Sequence, residues 1–236
     1  MARRLIGLSY SPWTVRARWA LDHHQVLYRY VEYLPVFGTP VLRAATRRWR
    51  GKLTVPMLTD GRTVLGDSFD IAQHAESLGR GAPLIPDLGT AAHWNAVADR
   101  IGAAGRTRTT TLVAGDRAAK KDSLPKGLGW ALPLADVGVS YLTRKYALDQ
   151  QSVAEAERQM ADAMQIVSEG LTGDYLGDSF GYADIAVACA FQFIDPVDPR
   201  HVYLGEHSTR CWRFPDLADR YRPLMEWRDR LFDEHR

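Results

Sequence analysis

Strand-forming patterns are confined to the first eighty residues, and this division limits the folds open to the chain more than any other feature. Leu5-Ile6-Gly7-Leu8 is a short apolar run of strand type. Leu27 to Tyr33 is rich in β-formers that partly alternate, which predicts a second strand. Val55 to Thr59, a turn at Asp60-Gly61 and Thr63 to Leu65 read as a β-hairpin. Between the first two strands, Ser11 can cap a helix and Pro12 suits its first position. That helix runs from Trp13 to Val26 and is amphipathic, with Val15, Trp19 and Val26 apolar and arginines between them. A further helix starts near Asp67-Ser68 and carries Ile71, Ala72, Ala75 and Leu78. The order is β-α-β followed by β-β-α.

A stretch rich in Gly and Pro, Gly79 to Gly89, reads as a linker, and beyond it only helical signals remain. Trp94, Val97 and Ile101 recur at helical spacing, and residues 115–129, polar and glycine-rich, predict a loop. Val153, Ala156, Met160, Ala163, Val167 and Leu171 trace one helical face behind a Ser152-x-x-Glu155 capping box. Tyr182 to Phe193, apolar nearly all round, predicts a buried central helix. Leu217, Tyr221, Leu224 and Leu231 mark a final amphipathic helix after Pro215. The expected fold is α+β: a βαβ-ββα domain over residues 1–80 and an all-α helical bundle over residues 90–236.

Composition narrows the function classes. With 46% apolar and 25% charged residues, a chain of 236 residues resembles an average soluble globular protein and needs no disulfide or metal staple. The two cysteines, Cys189 and Cys211, lie far apart and offer neither a disulfide framework nor a zinc knuckle. No apolar run approaches membrane-spanning length, and the first residues lack a signal-peptide core, so the expectation is a reduced, cytoplasmic protein without a membrane partner. The net charge of +2 is uneven: 12 Arg/Lys against 6 Asp/Glu up to residue 82, then 18 against 22. A basic first third suits nucleic acid or a small anion. The arginines are scattered, with one tight run at Arg47-Arg48-Trp49-Arg50, so a solvated arginine face is expected and no nucleic-acid partner.

The junction of the first strand with Ser11-Pro12 and the first helix is the most informative place for chemistry. The first turn of a helix offers unpaired N–H groups and the positive end of its dipole, which favour an anion. A thiolate held there is stabilised, and a serine hydroxyl can donate a hydrogen bond to a sulfur. The simplest role for Ser11 is nonetheless that of a helix cap.

The run Ser11-Pro12-Trp13-Thr14-Val15-Arg16 resembles the first-helix motif of glutathione transferases. Omega-type members read Cys-Pro-Phe-x-x-Arg there, and zeta-type and etherase-like bacterial members carry serine in place of cysteine. Val55-Pro56 resembles the Val-Pro dipeptide whose proline is cis in that fold, and Asp67-Ser68 followed by Ile71 resembles its Glu/Asp-Ser-x-x-Ile motif. Gly177 to Ile185 looks like the start of the buried helix in the family's second domain. The four matches fall in the family's order between residues 11 and 185.

The resemblance implies a thioredoxin-like first domain that binds glutathione as co-substrate, with Ser11 catalytic and with no metal. It implies glutathione contacts from Trp13, Lys52, Val55, Pro56, Asp67 and Ser68. Val55 would pair with the cysteinyl backbone, while Ser68 and its helix N-terminus take the γ-glutamyl carboxylate and Asp67 the ammonium. Arg47, Arg48 or Arg50 could replace Lys52, which sits four residues before Pro56. Three departures stand out, the first being that this Lys52 spacing is longer than the family's usual one, so the contact to the glycyl end of glutathione has no clean match. Gly181 occupies a position where the family usually has a Ser or Thr cap, and serine at position 11 argues against thiol transfer through a mixed disulfide.

The implied function is a detoxification-type transferase, a homodimer in which the activated glutathione thiol attacks a hydrophobic electrophile. A glutathione-dependent lyase, etherase or dehalogenase and a non-catalytic binding module are the alternatives. Trp94, Trp130 and Tyr141 are candidates to line a pocket for the second substrate or to pack the core. Tyr10 is a spare hydroxyl donor beside Ser11. The adjacent His23 and His24 face different ways on a helix and do not suggest a metal pair, Cys189 and Cys211 read as structural thiols, and Asp184 reads as a buried capping acid.

Overall fold

The computed structural model describes residues 3–33, 40, 42–43, 53–122 and 150–236. The chain forms two compact units: Met1–Asn95 with Tyr175–Cys189, and Ala96–Asp174 with Ala190–Arg236.

The first unit is built on a mixed sheet of β1 (Arg4–Gly7), β2 (Arg29–Glu32), β3 (Met57–Asp60) and β4 (Thr63–Leu65), in the spatial order β2-β1-β3-β4. β1 runs parallel to β2, while β3 is antiparallel to both β1 and β4. Strand alternation puts Ile6 and its partner Met57 on one face, packed with Leu42, and Leu5 and its partner Leu58 on the other. All five side chains are buried, so the centre of the sheet is covered on both faces. The hairpin turns at Gly61-Arg62, one place later than the sequence suggests, and Gly61 takes φ +61° at no steric cost.

Helix α1 (Pro12–His23) packs against α2 (Ser68–Leu78). It begins with proline in the first turn, as expected, and ends three residues before the predicted Val26. The N–H of Gln25 reaches the carbonyl of Asp22 at 3.0 Å and that of Val26 reaches Leu21 at 2.9 Å, with Gln25 left-handed at φ 55°. This is a Schellman termination, and the buried Val26 is its hydrophobic contact rather than a further helical residue. α1 also corrects the arginine reading: Arg16 is fully buried. On α2, Ile71, Ala72 and Ala75 are buried but Leu78 is exposed. Close approach of α1 to the sheet explains Gly7, where an added Cβ would lie 2.5 Å from Thr14 Cγ2.

Helix α3 (Leu88–Gly115) follows the linker and buries Trp94, Val97 and Ile101, as its spacing predicts. The predicted loop over 115–129 is instead helical at α4 (Arg117–Asp122). Asp116 starts this helix by accepting the N–H groups of Ala118 and Ala119 at 2.8 and 3.0 Å, a cap hidden among polar residues. Residues 123–129 of that loop lie outside the described residues.

In α5 (Gln150–Gly170), Ser152 is already inside the helix, and the Glu155 carboxylate pairs with Arg158 and Gln159 instead of closing a capping box. Ala156, Met160, Ala163 and Val167 form the buried face the pattern predicts. The apolar segment is α6 (Tyr182–Ala190) followed by a 3-10 turn at Phe191–Phe193, buried throughout. After α7 (Glu206–Trp212), the predicted final helix is two, α8 (Pro215–Arg220) and α9 (Arg222–His235). Pro223 belongs in the first turn of a helix, and placed there it forces the break at Tyr221. Across the second unit, the Asp122 carboxylate accepts the N–H groups of His207 and Ser208 and so caps α7 from another helix.

Candidate functional site

Strand register brings three segments to one end of the sheet. Ile6 lies opposite Met57, so the chain leaving β1 toward Ser11 runs beside the chain entering β3 through Val55-Pro56. Leu58 lies opposite Leu65, so Gly66, Asp67 and Ser68 leave β4 at the same end. A Cβ on Gly66 would sit 3.3 Å from Met57 Cε, which shows how closely the two segments pass.

Ser11 occupies the N-cap position of α1, with φ −72° and ψ 127°, and is 9% exposed. Its N–H donates to Leu8 at 2.9 Å and its carbonyl accepts from Val15 at 2.9 Å. Its hydroxyl makes no capping hydrogen bond, which corrects the simplest expectation from sequence. The first turn of α1 carries no acidic side chain either. The positive end of the helix is therefore left uncompensated by its own residues, and among the described residues the Oγ donor has no partner.

Asp67 and Ser68 form the start of α2. Asp67 Oδ1 accepts the N–H groups of Phe69 and Asp70 at 2.8 and 3.4 Å, while the side chain as a whole is exposed. Among the described residues its Oδ2 accepts nothing, so one oxygen caps the helix and the other is left over. Ser68 is 2% exposed. The Val55–Pro56 bond is cis, with Pro56 buried and Val55 half-buried. Trp13 is half-buried, with the Arg16 guanidinium 5.9 Å from its ring centre. Lys52 and its substitutes Arg47, Arg48 and Arg50 lie outside the described residues, as do Trp130 and Tyr141. Trp94 is buried, edge-on to His93.

Tyr10 is a poor candidate for an anionic partner. Burial, helped by the charge of Glu32, pushes its hydroxyl up to about 12, so it keeps its proton at neutral pH. His24 is buried with its Nε2 at 3.1 Å from Glu76, whose carboxylate also accepts the N–H of Leu84 at 2.9 Å and fastens the linker. Among the described residues no cluster of three or more His, Cys, Asp or Glu side chains could hold a metal. No described helix is long and apolar enough to cross a membrane.

Gly181 has a physical reason that family comparison hides. The carbonyl of Leu84 accepts the N–H of Tyr182 at 2.7 Å, and a Cβ on Gly181 would lie 2.9 Å from that same oxygen. A backbone carbonyl thus leaves no room for a capping side chain. Asp184 completes the start of α6, with Oδ1 accepting Leu176 N–H and Oδ2 accepting Gly181 N–H, each at 2.8 Å.

Two residues around the site, Arg16 and Glu32, were given no site role from sequence, although Arg16 falls in the first-helix motif. Arg16 Nη1 donates to Asn95 Oδ1 at 3.5 Å, the Tyr182 hydroxyl donates to the same oxygen at 3.4 Å, and the Tyr182 ring stacks on Phe69, next to Ser68. Glu32 reaches back to Ser9. An arginine between apolar helix positions was a signal for the first; an acidic residue at a strand end gives none for the second.

A thioredoxin-like sheet unit joined to a largely helical one defines the class of fold. The chain belongs to the glutathione S-transferase family: the model of the N-terminal domain matches residues 10–78 and that of the C-terminal domain residues 150–230. No protein of the curated set matches it in sequence. Its fold is similar to a glutathione S-transferase from Methylobacterium radiotolerans solved with glutathione sulfonate, at TM-score 0.65 and 19% identity, covering 99% of this chain and 92% of that one. It is also similar to glutathione S-transferase-I bound to lactoylglutathione, at TM-score 0.63 and 16% identity over 99% and 95%. A β-etherase from Sphingobium sp. strain SYK-6 matches at TM-score 0.60 and 16% identity over 97% and 98%.

Proposed function

We propose that the chain is a glutathione transferase-type enzyme that activates the glutathione thiol through Ser11. The observation that carries this reading is the Ser11 hydroxyl, which stands at the N-terminus of α1 without spending its hydrogen bond on the helix. Asp67 Oδ2 would take the ammonium of the γ-glutamyl group, and Ser68 with the start of α2 its carboxylate. The Val55 backbone would take the central amide, and Trp13 and Lys52 complete the contacts. Glutathione supplies the nucleophilic sulfur.

Ser11 would donate its hydroxyl hydrogen to that sulfur, and the uncompensated first turn of α1 would lower the cost of losing the thiol proton to solvent. The sulfur forms a bond to an electrophilic carbon as the leaving group departs with its electron pair. An alkoxide or halide leaving group gives the lyase, etherase or dehalogenase version with the same residues. The structural likeness to the β-etherase supports that version through the fold alone. A homodimer belongs to this reading.

Calorimetric titration with reduced glutathione at neutral pH, followed by turnover of 1-chloro-2,4-dinitrobenzene, tests the reading. Saturable binding at millimolar affinity or tighter is expected. Ser11→Ala lowers kcat about 10- to 100-fold with KM for glutathione little changed, less than the loss of a sole oxyanion donor because backbone N–H groups remain. A folded protein that takes up no glutathione refutes it.

A further inference from the structure

We propose that Glu32 is a positioning residue for this site, holding the turn that presents Ser11; the inference rests on the transferase reading above. Glu32 ends β2 and pairs with Gly7 at the end of β1. Its Oε1 accepts the N–H of Ser9 at 3.0 Å and the Ser9 hydroxyl at 3.4 Å. Its Oε2 accepts the Tyr30 hydroxyl at 2.9 Å, and that hydroxyl also approaches the Gly7 carbonyl at 2.9 Å. Tyr30 and Glu32 share one face of β2, two residues apart, so the pair forms a rigid bracket.

The bracket grips Ser9 in the middle of the connection from Gly7 to Pro12. That connection closes on itself through the hydrogen bond from Ser11 N–H to the Leu8 carbonyl. The Ser11 backbone, and with it the direction of its uncapped hydroxyl, is therefore set from two sides: by α1 ahead and by Glu32 behind. Electrostatics alone would not place a carboxylate here, since its charge opposes a neighbouring anion, as it does at the Tyr10 hydroxyl. What the carboxylate supplies is two acceptor oxygens on a strand end, one for the turn and one for the bracing tyrosine.

Glu32→Ala and Glu32→Gln in the full chain test the assignment by two independent readouts. The first is amide hydrogen exchange over residues 8–14. In Glu32→Ala the Ser9 amide exchanges about 10-fold faster while β3 and β4 are unchanged. In Glu32→Gln, whose amide oxygen can still accept from Ser9, most of the protection returns.

The second readout is conjugation of glutathione to 1-chloro-2,4-dinitrobenzene. Glu32→Ala lowers kcat about 10-fold with KM for glutathione within about twofold, because the γ-glutamyl end is held elsewhere. Glu32→Gln recovers most of the rate. In a Ser11→Ala background Glu32→Ala costs nothing further, since the residue acts through Ser11. Unchanged exchange at Ser9 overturns the proposal, and so does a kcat loss that persists in full without the Ser11 hydroxyl. Ser9 protection that depends on Glu32 in a protein that binds no glutathione refutes the transferase reading and the catalytic part of this one, while leaving the anchor itself established.

Discussion

Asp184 offers a stability prediction whose sign runs against the usual behaviour of a carboxylate. It is fully buried at the start of α6 and accepts two backbone N–H groups, from Leu176 and Gly181. Burial outweighs those hydrogen bonds and pushes its acid up to about 6. Between about pH 4 and pH 6 the folded state then binds more protons at this position than the unfolded chain, so its contribution to stability falls as pH rises through that window. The difference between pH 5 and pH 7 is about 1–2 kcal/mol in favour of the lower pH. Asp184→Ala removes this dependence and leaves two buried N–H groups without acceptors, each costing about 1–3 kcal/mol. At pH 7 relief of the buried charge, worth up to about 3 kcal/mol, offsets part of that loss; at pH 5 it offsets less. The substitution is therefore more damaging at pH 5 than at pH 7. Urea unfolding of both proteins at half-unit steps from pH 5 to pH 7.5 measures the gap. Parallel curves would refute the burial argument, and a variant as stable as the parent at pH 5 would refute the capping role.

Two glycines give sharper steric tests. At Gly181 a serine should cap α6 better by intrinsic preference, yet its Cβ would press on the Leu84 carbonyl at 2.9 Å. Gly181→Ser is expected to destabilise by about 1–2 kcal/mol in denaturant unfolding, and a gain would show that the linker carbonyl yields. At Gly105 a Cβ would lie 2.3 Å from Phe193 Cβ, and Phe193 is stacked on Trp212 with ring centres 4.5 Å apart and so cannot retreat. Gly105→Ala should cost about 2–3 kcal/mol, against no loss for Gly115→Ala on the same helix, where a Cβ meets nothing within 4 Å.

These positions also mark what the sequence could and could not disclose. Element order, the hairpin and the buried central helix were legible because each is written in local periodicity or turn chemistry. The errors came where burial and hydrogen bonding part company. Val26 is buried at helical spacing, but it closes a Schellman turn beyond the helix end. Ser152 and Glu155 have the spacing of a capping box, but Glu155 is engaged by Arg158 and Gln159. Asp116 and Asp122 looked like ordinary loop charges, and each caps a helix, the second one 85 residues along the chain. A carboxylate that caps from a distant element leaves no trace in the pattern of its own neighbours.

The same limit applies at the candidate site. A serine that caps a helix and a serine that donates to a bound sulfur need the same residue at the same position, followed by the same proline. Sequence spacing cannot separate them, because the difference lies in where one hydroxyl hydrogen goes. The structure shows that Ser11 makes no capping bond, whereas Asp67, at the equivalent position of α2, caps through Oδ1. The fold thus spends its capping oxygen at the helix whose side chain has a second oxygen to spare, and withholds it at the helix whose serine has only one. Two hydrogen bonds near this helix start, Ser9 to Glu32 and Arg16 to Asn95, span 23 and 79 residues, beyond any local pattern. Local sequence marks the start of α1; that the Ser11 side chain does not cap it is a property of the fold.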